Sequence, residues 1–292
     1  MNSVIREHNE LKTMKPEMLA VSNMLSTEDF GVFVKTISGF FTNKINVISS
    51  LFSKNGDRAN RTIEKEYNVF VKDLLAYKSI VPKIVSNVNY SNVERIQLPV
   101  AMGIKEQLHV VTPVLVNVIE EINKNLLDLI ETTDTTIANI LGDKDYRTAT
   151  RIIKIDIRFY KFNRILEDAI KDIIDPKDLT DVKPLYKIIG NISSINSIYN
   201  DLVGISVNNT FKHLKELENS IAQIASRTNF LYDYIKNDKE GKLETSKVVI
   251  NRVSELLDLT ADAVTSSVTI LHIYNQVTGM TTNMLDELRK HA

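Results

Sequence analysis

The densest group of side chains that could do chemistry in this chain is a row of cations between Arg147 and Arg164. Five of them recur at steps of four and three residues, so they lie within about 80° of arc on one helix face. This basic stripe consists of Arg147, Arg151, Lys154, Arg158 and Lys161, with Arg164 just outside the arc. Cations at this spacing can neutralise successive phosphates, and Tyr160 could stack on a base. The stripe therefore predicts a nucleic-acid-binding module as one function.

The neighbouring sequence favours a structural role for the same stripe. Apolar strips flank it on both sides, as in a helix packed between neighbours. Acids dominate the segments before and after it: Glu120, Glu121, Asp128, Glu131 and Asp134, and then Glu167, Asp168, Asp172, Asp175, Asp178 and Asp181. We therefore expect the stripe to pair with acidic helices of this chain or of another subunit. The acids before the stripe lie largely opposite their own apolar seam, which also allows them to face another molecule.

Metal chemistry would need ligands such as Glu106 and His109, which stand three residues apart in EQLH. Di-metal carboxylate bundles repeat this unit on a second helix. No other histidine has a glutamate three residues before it. The glycine loops and hydrolase motifs of enzymes are absent as well, and a chain without cysteine has no thiolate site. We expect no enzyme activity, catalytic residue, metal, cofactor or small-molecule substrate.

Four long helices must position these side chains. The first keeps a 4-3-4-3 apolar step, with Pro113 near its first turn: Leu115, Ile119, Ile122, Leu126, Leu129, Thr133, Ile137 and Ile140. The second carries the basic stripe, and the third runs from about Pro184, with a phase break near Gly204 that leaves open whether 184–236 is one continuous helix. The fourth contains Ile250, Val253, Leu257, Val264, Val268, Leu271, Met284 and Leu288. Polar residues in the seams, such as Thr133 and Thr228, are typical of positions that fix register.

These elements predict an all-α fold, an elongated antiparallel bundle of long coiled-coil-like helices. We expect an N-terminal helical region over 1–95 and the long-helix bundle over 96–292, with one continuous domain as the alternative. Pro82 interrupts a helix in the first region, and 87–103 is the least periodic segment. No strand pattern competes with the helical one.

Composition bounds the function classes. The net charge is −1 and 43% of residues are hydrophobic, which is ordinary for a globular protein and argues against a general nucleic-acid coat. The N-terminal residues have no apolar stretch typical of a secretory signal. The 13-residue uncharged stretch Ile188 to Asn200 is shorter than the roughly 20 residues of a transmembrane helix, so we expect no membrane span.

The absence of a chemical site and the long helices favour a structural or assembly protein that binds itself or other subunits. The Asn- and Ile-rich composition is typical of A/T-rich genomes, so we expect a cytoplasmic protein or a component of a virus or phage particle. A membrane-active helical bundle is the alternative, based on the Phe-rich FGVFVKTISGFF and the weakly polar Ile188 to Phe211 stretch.

Overall fold

A computed structural model describes residues 65–99 with internal gaps, 104, 107–136, 168–173 with one gap, 182–205, 207–237 and 243–291, together with Asn43 and Asn46. Within the long helices, the side chains at 136, 224–252 and 254 fall outside this description. Of the interpretable residues 86% are helical. The prediction of a mostly helical protein is therefore confirmed.

The elements follow one another in a simple order. The helices are α1 (Val81–Asn87), α2 (Leu108–Thr136), α3 (Leu185–Ile189), α4 (Ser194–Gly204), α5 (Val207–Asn237) and α6 (Leu243–Lys290). The strands are β1 (Gln97–Pro99) and β2 (Val182–Pro184). Pro82 lies in the first turn of α1, where its missing N–H costs no helical bond. The sequence predicted Pro113 near the first turn of α2. The helix begins earlier, at Leu108, so Pro113 lies inside it.

The two short strands correct the prediction of a purely helical fold. β1 and β2 pair antiparallel, with Leu98 opposite Lys183, and the Leu185 N–H extends the pairing to the Ile96 carbonyl at 2.8 Å. Each strand has three residues, too few to show a two-residue period. Pro99 and Pro184 end them, and a two-stranded sheet has only edges, where proline is tolerated. Only the pairing of distant segments reveals this sheet.

The structure also shows that 184–236 is not one continuous helix. Gly190 takes a φ of 70°, and the Asn191 side chain accepts a hydrogen bond from the Ser193 N–H at 3.0 Å, so α3 ends and a turn follows. A second interruption comes at Ile205, directly after Gly204, where the backbone becomes extended. The phase break predicted near Gly204 is therefore a true interruption.

The chain divides into two compact units, and each draws on separate stretches of sequence. The described residues of unit 1 lie within Asn123–Asn163 and Thr210–Ser266, together with Asn43 and Asn46 of Met1–Arg58. Those of unit 2 lie within Ala59–Ile122, Arg164–Asn209 and Ser267–Ala292. Both α2 and α6 contribute residues to both units. The division predicted at about residue 95 stays a prediction.

The predicted apolar seams form the cores of these units. In α2 every described seam residue is at most 1% exposed, from Leu115 to Thr133. Helix α6 is buried along three rows with seven-residue spacing, none of whose members is more than 4% exposed. The rows are Val253, Thr260, Ser267, Tyr274, Thr281 and Leu288; Leu256, Ala263, Ile270, Val277 and Met284; and Leu257, Val264, Leu271, Thr278 and Leu285. The sequence predicted one seam for this helix, whereas the structure buries it on a much wider face.

Burial of these seams predicts that an Asp substitution has very different effects on stability at two adjacent leucines of α2. Leu126 is fully buried, whereas Leu127 is 49% exposed. We expect Leu126→Asp to lower the free energy of unfolding by about 4 kcal/mol, because the charge has no partner in the core. Leu257→Asp in α6 should lower the free energy of unfolding by a similar amount, since Leu257 is also fully buried. Leu127→Asp is the matched control, and thermal melts of all three that coincide with wild type would contradict the seams.

The turn at Gly190 gives a second prediction. The positive φ of Gly190 disfavours any L side chain, and a Cβ there would also displace the side-chain amide of Gln107. We expect Gly190→Ala to destabilise the protein by about 1–3 kcal/mol. At Gly204 the Cβ would meet nothing within 4 Å, so Gly204→Ala should leave denaturant unfolding unchanged or slightly improved. Equal destabilisation by both changes would show that the turn geometry is wrong.

Candidate functional site

The predicted basic stripe lies outside the described residues. This applies to Arg147, Arg151, Lys154, Arg158, Lys161 and Arg164 alike. The nucleic-acid hypothesis that depends on them therefore stays a prediction. The acids of α2 that precede the stripe are described: Glu120, Glu131 and Asp134 are exposed, and Glu121 and Asp128 are half-buried. They lie away from the buried seam, as the sequence predicts.

In unit 1, two polar contacts join α2 to α5. The Thr210 hydroxyl donates to the Asn123 side-chain oxygen at 2.7 Å, and the Ser220 hydroxyl donates to the Asp134 carboxylate at 2.7 Å. The contacts step forward by 11 residues on α2 and by 10 on α5, so the two helices run parallel within this unit. Both hydroxyls belong to buried residues, which makes their pairing sensitive to register. The pair of contacts locks α2 and α5 at one relative position.

In unit 2, the carboxylate of Asp201 on α4 collects two hydroxyl groups. Ser197 donates to its Oδ2 at 3.3 Å from the same helix, and Thr112 of α2 donates to the same atom at 3.4 Å. His109 of α2 places its Nδ1 3.1 Å from the Ile189 carbonyl of α3. These contacts hold α2 against α3 and α4.

Glu106 and His109 form the half motif that the sequence analysis judged insufficient for a metal site. Glu106 lies outside the described residues, and the His109 ring contacts a backbone carbonyl. Across the part of the chain that the structure describes, no three His, Asp or Glu side chains are placed to hold a metal ion. Burial raises the pKa of the Glu255 carboxyl, and the charge of Asp258 one turn later adds to this effect. Such a pair alone does not form a metal centre.

A tyrosine ties the end of α6 into unit 2. The Tyr77 hydroxyl donates to the carboxylate of Asp286, and Tyr77 is 7% exposed. Burial raises the pKa of Tyr77, with a further increase from Asp286, and the neighbouring Arg289 opposes the shift. The phenol therefore remains protonated and keeps its role as a donor. The contact joins residues 209 positions apart, and no sequence pattern announces it.

Two buried polar atoms lack a partner among the described residues, His213 Nδ1 on α5 and Gln276 Oε1 on α6. His213 is 8% exposed in unit 1 and lies between Thr210 and Ser220, the two residues that contact α2. Burial holds the pKa of His213 below its usual value; Glu216 opposes this shift and Lys212 adds to it. The ring is therefore neutral at pH 7. Neither residue was singled out by the sequence, because an isolated histidine or glutamine has no spacing signal.

The sequence interpretation also passed over a long uncharged section of α6. Residues 263–285 contain no Asp, Glu, Lys or Arg. The surrounding section Glu255–Lys290 is long and apolar enough to cross a membrane by length and composition, and 67% of its best window is buried in the protein. The core helix of a soluble protein meets the same criteria. Among the described residues, no other helix does so.

The outward face of α2 in unit 1 exposes one large apolar side chain between charged residues. Lys124, Leu127 and Glu131 follow one another at steps of three and four residues, and all three are exposed. Leu127 exposes 49% of its surface between charged neighbours. The exposed part of this face is therefore amphipathic, with one leucine flanked by charged residues.

The low pKa of His213 predicts an acid-sensitive core. Because the folded state disfavours the imidazolium, unfolded chains bind the extra proton, and this contribution to stability is present above pH of about 6.5 and is lost as the pH falls below it. We expect His213→Gln to reduce the loss of stability between pH of about 7 and 5. Urea unfolding across this range measures the effect. His291→Gln is the control, since His291 is exposed, and equal pH profiles for wild type and His213→Gln would refute the assignment.

Comparison with protein-family models, with curated proteins and with solved structures gives no match to this chain. Its function therefore has to be inferred from its own helices, polar contacts and exposed faces.

Proposed function

We propose that this chain is a non-enzymatic structural or assembly protein that presents long helical faces to copies of itself or to other subunits. The observation that carries the proposal is the outward row of α2 in unit 1, where Leu127 stands exposed between Lys124 and Glu131. The row repeats the three- and four-residue steps of a helix-pairing seam on the side opposite the buried one. A large assembly, such as a virus or phage particle, is the setting that we propose for it.

Helix geometry supports the finer form of the proposal, an elongated antiparallel bundle with coiled-coil-like helices. The buried rows of α6 keep a strict seven-residue spacing from Val253 to Leu288. A repeat of seven residues, slightly shorter than two full helical turns, favours left-handed coiling of neighbouring helices. The parallel course of α2 and α5 in unit 1 is what an up-and-down bundle requires of its first and third helices.

The polar contacts of the described region support a structural role over a catalytic one. The hydroxyls of Thr210 and Ser220 are engaged with side chains on a second helix, and the Thr133 hydroxyl donates to the Leu129 carbonyl at 2.7 Å. Groups held in this way specify which residues stand opposite one another.

A paired substitution tests the proposal. Leu127→Asp should leave thermal unfolding unchanged, because Leu127 is exposed, but should weaken self-association about tenfold by placing a charge in the contact. The mass from light scattering at several protein concentrations measures association. Leu75→Asp is the matched control, since Leu75 is 55% exposed and lies outside α2.

The outcomes separate clearly. A concentration-dependent oligomer that Leu127→Asp dissociates and Leu75→Asp preserves would support the proposed face. A strict monomer, or an oligomer that Leu127→Asp leaves intact, would reject this face for self-association. Binding of candidate subunits, measured with the same two variants, tests the other form of the proposal.

A further inference from the structure

His213 lies on the side of α5 that packs against α2 in unit 1. At about 100° per residue, four residues of α5 fall within about 80° of arc: Thr210, His213, Leu217 and Ser220. The hydroxyls of the first and last of these reach side chains of α2, and His213 stands between them along the helix. All four residues are at most 8% exposed. The imidazole therefore belongs to the buried face that α5 turns toward α2.

The surroundings of His213 suit the neutral ring and oppose the charged one. Its Nδ1 is buried and has no hydrogen-bond partner among the described residues. A neutral imidazole donates from one nitrogen only, whereas the imidazolium donates from both. Protonation would therefore add a charge and leave the Nδ1–H without an acceptor in a buried place, and both effects are costly. Contact with water removes both costs.

The charged residues around His213 do not compensate for its burial. Glu216 favours the imidazolium and Lys212 opposes it, but these two side chains already pair with each other at 3.7 Å and are well exposed to solvent. The described charged residues on the other two helices of unit 1 are Lys124, Asp128, Glu131 and Asp134 on α2, and Glu255, Asp258 and Asp262 on α6. Burial is the largest influence on the pKa of His213, and it lowers this pKa.

We propose that His213 is an acid-operated release for the pairing of α2 with α5 in unit 1. When the imidazole takes up a proton, α5 separates from α2 and water reaches the ring. The section that opens is the one held by the Asn123–Thr210 and Asp134–Ser220 contacts. The inference goes beyond the proposed role in assembly and does not depend on it.

A histidine of unit 2 provides a contrast within the same chain. His109 places its Nδ1 3.1 Å from the Ile189 carbonyl. A carbonyl accepts a hydrogen bond from the N–H of the neutral ring and from that of the imidazolium alike. Protonation of His109 therefore does not break its contact between α2 and α3, whereas protonation of His213 leaves a buried N–H without an acceptor.

Hydrogen exchange read by mass spectrometry tests the release, because it reports the opening of each helix separately. Exchange rates of amides in 123–136 and 210–223 are measured at pH values between about 7 and 5, and each is divided by the intrinsic rate at that pH. Wild type should lose protection about fivefold or more in both sections, since the opened state binds the proton more tightly. Amides of α4 in unit 2 are the internal reference and should change less than about twofold.

Substitution of His213 assigns the response to this group. His213→Gln removes the titrating ring and should abolish the acid-induced loss of protection in both sections. His213→Leu, with an apolar side chain of similar size, should do the same without placing an amide in the core. His109→Gln is the matched control and should keep the wild-type response of unit 1.

The outcomes decide the proposal in either direction. Loss of protection that is confined to unit 1 and absent from both His213 variants would support the release. Equal loss in α4 would show general acid unfolding, and loss that persists in both His213 variants would assign it to another group. Either result would overturn the proposal, and so would wild-type protection that stays constant across this pH range.

Discussion

Burial of α6 is the constraint on which the described structure depends. Three rows of its side chains, each with seven-residue spacing, are almost completely removed from solvent. A helix with one buried seam needs neighbours on one side only, whereas α6 has to be covered over a wide arc. Apolar burial of this extent supplies the main favourable free energy of folding, at about 25 cal/mol per Å² of apolar surface. The neighbouring helices and their apolar seams are required for this reason.

Hydrophobic burial stabilises the association of helices but does not fix their register. The register is fixed by the polar contacts. In unit 1, the Asn123–Thr210 and Asp134–Ser220 pairs can form together at one relative position of α2 and α5. In unit 2, Asp201 and the Ile189 carbonyl fix α2 against α4 and α3. Buried threonines elsewhere return their hydrogen bonds to their own helix, as Thr133 and Thr281 do. The interior therefore combines apolar packing with one defined register of the helices.

The proposed assembly face makes no demand on the helical core. Protein assembly uses a face that is already exposed, around Leu127, and needs no rearrangement of the core. Burial lowers the pKa of His213, so protonation of this imidazole opposes the folded state of unit 1.

Local sequence alone determined the helices and much of their buried faces. The 4-3-4-3 step from Leu115 to Thr133 identifies buried positions correctly because helical spacing is a property of consecutive residues. Local sequence did not determine the β1–β2 pair, the contact of Tyr77 with Asp286, or the unpartnered Nδ1 of His213. Each of these depends on which distant segments meet, and three-residue strands or single side chains have no period to detect. The wide burial of α6 was likewise decided by tertiary structure, because only the number of neighbouring helices sets how much of an apolar helix is covered.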